Sequence, residues 1–140
     1  MDIKKFLIGT LVGGIAFFFL GYLFYGVLLA GFFNEHYAAG ATMRTMDDIV
    51  WWALILGNVG SGALLTYIFL KWANIATFGS GANAAAAIGF LLALSMDLIR
   101  FATEGMFDLT ASLTDVLVFT VMNAIAGGII GAVLGMGNKG

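Results

Sequence analysis

Cysteine and proline are both missing from this chain, and charge is scarce. Without a thiol there is no disulfide scaffold, no thiolate metal site, no iron–sulfur cluster and no thiol redox chemistry. Without proline, any kink in a helix must come from glycine or from a widened turn. Only 10% of the residues are charged, against about 25% in an ordinary soluble domain, so most of the surface must face something other than water. A net charge of −2 offers no basic footprint for nucleic acid. The lone histidine, His36, cannot supply two axial ligands to a haem, and with only Glu35 beside it makes too small a metal site. It reads as an ordinary exposed side chain. Every lysine lies near the edge of an apolar segment, which leaves no mid-membrane amine for retinal. No serine–histidine, zinc-protease, P-loop or dinucleotide motif is present, so neither an enzyme activity nor a cofactor is expected.

What the chain does have is apolar length. Of its 140 residues 61% are hydrophobic, and the mean hydropathy is +1.02. Four apolar segments stand out, Phe6–Phe33, Val50–Trp72, Gly81–Thr103 and Ser112–Met136. They predict a single all-α domain, a four-helix up-down bundle crossing a membrane with short connections. Lys4 and Lys5 before the first segment look like the start of a signal peptide. The apolar run far exceeds the roughly 7–15 residues of a signal core, so it reads as an anchor that stays in place. At ~1.5 Å per residue it spans roughly 42 Å, more than a hydrocarbon core of about 30 Å, and should tilt or project. Trp51, Trp52 and Trp72 bracket the second segment as interfacial aromatics do. Ser80 suits an N-cap for the third. The polar stretch Asn34–Ile49 has room for a short interfacial helix around Thr42–Asp48, with Asp47 and Asp48 favourable at the start of the next helix. Lys4, Lys5, Lys71 and Lys139 fall on one side and Arg44 and Arg100 on the other, which predicts cytoplasmic termini.

Small residues recur with helical spacing in the last two segments. Gly81, Ala85, Gly89 and Ala93 lead to Asp97, with Arg100 one turn on, and Asp115 and Asn123 precede Gly127, Gly131 and Gly135. Such rows let helix backbones approach closely, a main source of association in lipid. A row at every fourth residue winds around its helix, so contact between two rows is expected to be local and crossed. With Gly9, Gly13 and Gly14 in the same membrane half, the tight contacts should fall inside and the helices should splay outside. That predicts an outward-facing polar vestibule lined by Asn58, Asp97, Arg100, Asp115 and Asn123.

Each of these polar groups also has a purely structural reading. Asp97 and Arg100, three apart, can neutralise one another along the helix surface, or mark an ion or proton site. Ser112 and Asp115 have capping-box spacing, with Ser112 as N-cap. Asn58 and Asn123 read as interhelical hydrogen-bonding residues at similar depth, each followed four residues later by glycine, Gly62 and Gly127. That match hints at a parallel repeat of two helical hairpins.

Gly13-Gly14, Gly21-Tyr22-Leu23-Phe24-Tyr25-Gly26-Val27-Leu28-Leu29, Trp52-Ala53-Leu54-Ile55-Leu56-Gly57-Asn58 and the glycine-rich end of the last segment together resemble a family of small, uncharacterised bacterial four-helix integral membrane proteins. The resemblance implies a bacterial inner-membrane location and carries no activity or site residues with it. The leading expectation is a non-enzymatic membrane protein acting as a homo-oligomer or as an accessory subunit of a membrane assembly. Against it stand a small transporter or channel using the vestibule, and a lipid- or hydrophobe-binding protein using the aromatic half of the first helix.

Overall fold

A computed structural model describes residues 1–36 and 47–136, and the described chain is all-helical. Helix α1 (Ile3–Gly21) begins on Asp2, whose carboxylate accepts from the Lys4 and Lys5 amides. It widens into a π-helical segment, Tyr22–Leu28, breaks at Leu29, and is followed by the short α2 (Ala30–Glu35). Helix α3 (Trp51–Ile68) also ends in π-helical turns, Phe69–Ala73, closed by Asn74 in the left-handed conformation. Helices α4 (Phe78–Thr103) and α5 (Leu109–Met136) complete the chain. Four stretches are long and apolar enough to cross a membrane, Ile3–Leu28, Trp51–Ala73, Phe78–Thr103 and Leu109–Met136.

The first span is thus shorter than the single Phe6–Phe33 helix expected from hydropathy, because the chain changes winding at Tyr22 and breaks at Leu29. Helix α4 starts before Ser80. Thr77 is its cap, accepting from the Ser80 amide at 3.2 Å. Helix α5 starts before Ser112, because Asp108 takes the Ala111 amide at 2.8 Å. Ser112 therefore lies in the helix, and Asp115 is no capping residue. Asp47 and Asp48 form a turn ahead of α3, whose first residue is preceded by Val50 without a side-chain cap. Residues 42–46 of the expected interfacial helix, Arg44 among them, and the tail from Gly137 lie outside the described residues.

Helix α5 is the centre of the packing. It runs against α4 along most of its length and also touches α1 and α3, whereas α3 and α4 hardly meet. Half of α5's apolar window is buried, against 17% for α4, so α5 is the shared wall and α4 a peripheral helix. Phe17, Leu65, Phe69, Val118, Met122, Ala126 and Ile130 form the core between them.

Two glycine seams hold one end of this arrangement. Between α1 and α3, a Cβ on Gly13 would stand 2.9 Å from the Gly62 Cα, and one on Gly62 would stand 2.6 Å from the Gly14 nitrogen. Between α4 and α5, a Cβ on Gly81 would collide with the Gly127 carbonyl, one on Gly127 with Ala85, one on Gly131 with the Thr77 carbonyl, and one on Gly135 with Ala76. Gly89 is blocked by the Asn123 side chain, 2.6 Å from where its Cβ would be. The α4–α5 seam is longer than a local crossing, since Gly81, Ala85, Gly89 and Ala93 are all buried. That is about 18 Å of helix. Small residues on both sides keep the backbones close throughout, and dispersion between them replaces the hydrophobic drive that lipid does not supply.

Candidate functional site

Away from the glycine seams the helices separate. A Cβ on Gly21 would find only the Met122 methyl at 3.8 Å, an ordinary contact. Into this wider end project the polar groups of α4 and α5. Asp97 and Asp115 face each other within hydrogen-bonding reach, with Arg100 near enough to act on Asp97 through its charge. Asp115 is held from the other side by the Tyr25 hydroxyl, which donates to Oδ1 at 2.5 Å. Tyr25 sits in the π-helical segment Tyr22–Leu28, the kind of widened turn that recurs at functional sites.

The expected Asp97–Arg100 ion pair does not form. Elsewhere His36 Nε2 lies 3.9 Å from Asp108 Oδ2. Arg100 is exposed and Asp97 half-buried. One of its oxygens, Oδ2, is buried without a hydrogen-bond partner.

Two cavities meet at this cluster. One, of about 230 Å³, is lined by Tyr25, Phe33, Asp97, Arg100, Phe101, Glu104, Met106, Phe107, Ser112 and Asp115. It lies towards α2 and the α4–α5 connection. The other, of about 300 Å³, occupies the gap between α3 and α4 over α5, and is lined by Ser61, Leu64, Leu92, Ala93, Met96, Asp97, Arg100, Asp115, Phe119 and Asn123. Asp97, Arg100 and Asp115 belong to both walls, so they form a polar partition between an end-on cavity and a lateral one.

Four of the five expected vestibule residues are therefore brought together, Asp97, Arg100, Asp115 and Asn123. Asn58 lines neither cavity. Both asparagines spend their amides on their own helices, Asn58 on the Leu54 carbonyl and Asn123 on the Phe119 carbonyl, each at 2.8 Å. Neither makes the interhelical bond expected of it, although the Asn123 side chain packs directly on Gly89 of α4. The match between them survives in another form, since Gly62 and Gly127, one turn on, both lie in the seams.

His36 is also more engaged than a free surface residue. Its Nδ1 donates to the Phe32 carbonyl at 2.7 Å and its ring stacks on Phe32 at 4.1 Å. The Asp108 amide donates to the His36 carbonyl at 3.4 Å. The end of α2 is thereby tied to the start of α5, which closes the cavity on the side of Phe33 and Phe107. The contributions of Tyr25, Phe33, Phe101, Glu104 and Phe107 have no signature in local spacing, as Tyr25 and Asp115 are 90 residues apart. A tyrosine at the far end of an apolar run, with an unassigned carboxylate in another run, was the available hint.

No three histidine or acidic side chains among the described residues are grouped so as to hold a metal ion. No protein-family model matches the chain, and no curated protein or solved structure is similar to it.

Proposed function

We propose that this is a non-enzymatic integral membrane protein of a bacterial inner membrane, an up-down bundle with both termini in the cytoplasm, working as a homo-oligomer or as an accessory subunit of a membrane assembly. The orientation is supported by Lys4, Lys5 and Lys71 at the end of the glycine seams and Arg100 at the other. The location is supported by the resemblance of the glycine- and aromatic-rich segments to small bacterial membrane proteins.

The assembly reading is carried by one observation. Most glycines of the long helices are pressed against a neighbour, yet Gly57 and Gly60 of α3 are exposed, with nothing within 4 Å of where a Cβ would lie. Three apart, they cut a notch one turn long into the outer surface of a membrane helix, beside Asn58 and Ser61. Small residues earn their place in such helices by admitting another helix, and within this chain none fills the notch. Native mass spectrometry from the membrane is expected to show a complex larger than one chain. Replacing both Gly57 and Gly60 with leucine should reduce it to the monomer without lowering the temperature at which the monomer unfolds. A wild-type protein released as a lone, ligand-free monomer would remove the assembly reading.

A second reading, a small transporter or channel with an outward-facing vestibule, is favoured by the two cavities that share Asp97, Arg100 and Asp115. The seams beyond them place backbone against backbone, which suits a binding pocket with alternating access better than a standing pore. Ion flux into liposomes, compared between wild type and Asp97→Asn, tests it. Absence of flux in both would count against it.

A further inference from the structure

The vestibule reading leaves open what governs access to the end-on cavity, and the inference that follows deepens that reading. Helix α2 forms one wall of the cavity. Phe33, its buried residue, lines the space, with its ring 5.5 Å from Tyr25 and 5.8 Å from Phe107. The chain leading into α2 is loosely held. No residue of Tyr22–Leu28 is buried, and Leu29 leaves the helical region at φ −118° and ψ 9°. A Cβ on Gly31 would meet nothing within 4 Å. Ends of elements that are packed this lightly are where a hinge absorbs a change in backbone angles.

At its far end α2 is fastened by His36. Nδ1 stands 2.7 Å from the Phe32 carbonyl oxygen, and Nε2 stands 3.9 Å from Asp108 Oδ2. Both of these partners are acceptors. A neutral imidazole has a single N–H, so it serves one of them and turns a lone pair on the other. The imidazolium, with two N–H groups, serves both. Asp108 is held for this contact from the other side, because its Oδ1 already takes the Ala111 amide at 2.8 Å. The His36 side chain is 25% exposed and that of Asp108 53%, so protons reach the pair from water. Histidine is the side chain that ordinarily changes charge between about pH 5 and 8. The charged groups on the cavity walls are Asp97, Glu104 and Asp115 against Arg100, and Glu35 precedes His36 on α2, so the surroundings are acidic on balance.

We propose that α2 is a pH-sensitive lid on the end-on cavity, latched at acid pH by the His36 imidazolium on Asp108. When His36 loses its second proton, either the Asp108 contact or the Phe32 bond must go, and the end of α2 is released. Acid therefore closes the cavity, and a rise in pH through the histidine range opens it. An ion pair this exposed shifts such an equilibrium by no more than roughly fivefold, so the lid is biased rather than locked.

The chain has no cysteine of its own, so a single introduced thiol reports on access. Ser112 lines the cavity and is buried, whereas Thr110 is exposed. The full chain in nanodiscs, carrying Ser112→Cys or Thr110→Cys, is treated with 2-(trimethylammonio)ethyl methanethiosulfonate. The ratio of the two modification rates cancels the pH dependence common to both thiols. That ratio is expected to rise at least twofold between pH 5 and pH 8. His36→Gln, which has no charge to lose, and Asp108→Asn, which keeps a helix cap without the charge, should each abolish the rise. A ratio constant with pH overturns the proposal, and so does a rise that persists in His36→Gln. Should Ser112→Cys fail to fold, hydrogen–deuterium exchange of the Ala30–His36 amides in the unaltered chain takes its place. Protection corrected for intrinsic exchange should then be at least twofold greater at pH 5 than at pH 8, and equal protection overturns the lid. Neither measurement needs a solute, so failure here discards the lid and leaves the vestibule reading to the flux assay.

Discussion

The two ends of this bundle are built on opposite rules. At the seam end, Gly13, Gly62, Gly81 and Gly127 leave no room for even a Cβ, and the contacts are backbone to backbone. At the carboxylate end the spacing relaxes, with Gly21 meeting its neighbour at 3.8 Å, and the helices enclose space lined by Asp97, Arg100 and Asp115. The first arrangement is what lipid rewards, close packing with polar backbone groups satisfied inside each helix. The second is what lipid penalises, since a carboxylate at depth costs about 3 kcal/mol on insertion scales. Stability is concentrated where the side chains are smallest, and the capacity for chemistry where the packing is loosest.

Substitutions should separate the ends sharply. Gly127→Leu has the largest expected effect. It drives a branched side chain into Ala85 and the Gly81 carbonyl, and backbone cannot yield as a rotamer can. A loss of about 3 kcal/mol or outright misassembly is expected, measured by denaturant unfolding in micelles. Tolerance of leucine there would erase the distinction between the ends. Asp97→Leu should act with the opposite sign. It removes a buried oxygen without a donor and is expected to raise stability by about 1 kcal/mol while abolishing any function of the cavity. A destabilised Asp97→Leu protein would show that the carboxyl pair is structural. Tyr25→Phe is the mildest. It deletes a side-chain hydrogen bond between α1's extension and α5 and should cost about 1 kcal/mol by the same unfolding measurement. A cost as large as that of Gly127→Leu would mean that the carboxylate end, too, holds the fold together.

Hydropathy alone located four spans, and the spacing of Gly81, Ala85, Gly89, Gly127, Gly131 and Gly135 located the α4–α5 contact, because small residues at i, i+4 have few other uses in lipid. Element boundaries were less legible. Asp108 and Ser112 are both good caps, and which one starts α5 depends on a loop held by His36. The asparagines misled because an amide on a helix has two choices, its own i−4 carbonyl or a neighbour, and Asn123 keeps its own carbonyl even while packed on Gly89 of α4.

The amino-acid order by itself determined that this chain is helical, that it is apolar enough to cross a membrane four times, and that two of its helices meet through glycine. Those properties depend on local composition and period, which the chain carries wherever it is placed. Tertiary structure alone decided which carboxyl faces which. It set Asp97, Arg100 and Asp115 on the walls of the same two cavities, brought Tyr25 across 90 residues to hold Asp115, and left α3 and α4 apart so that the cluster borders open space. Such contacts depend on the relative rotation of whole helices, which no local pattern encodes.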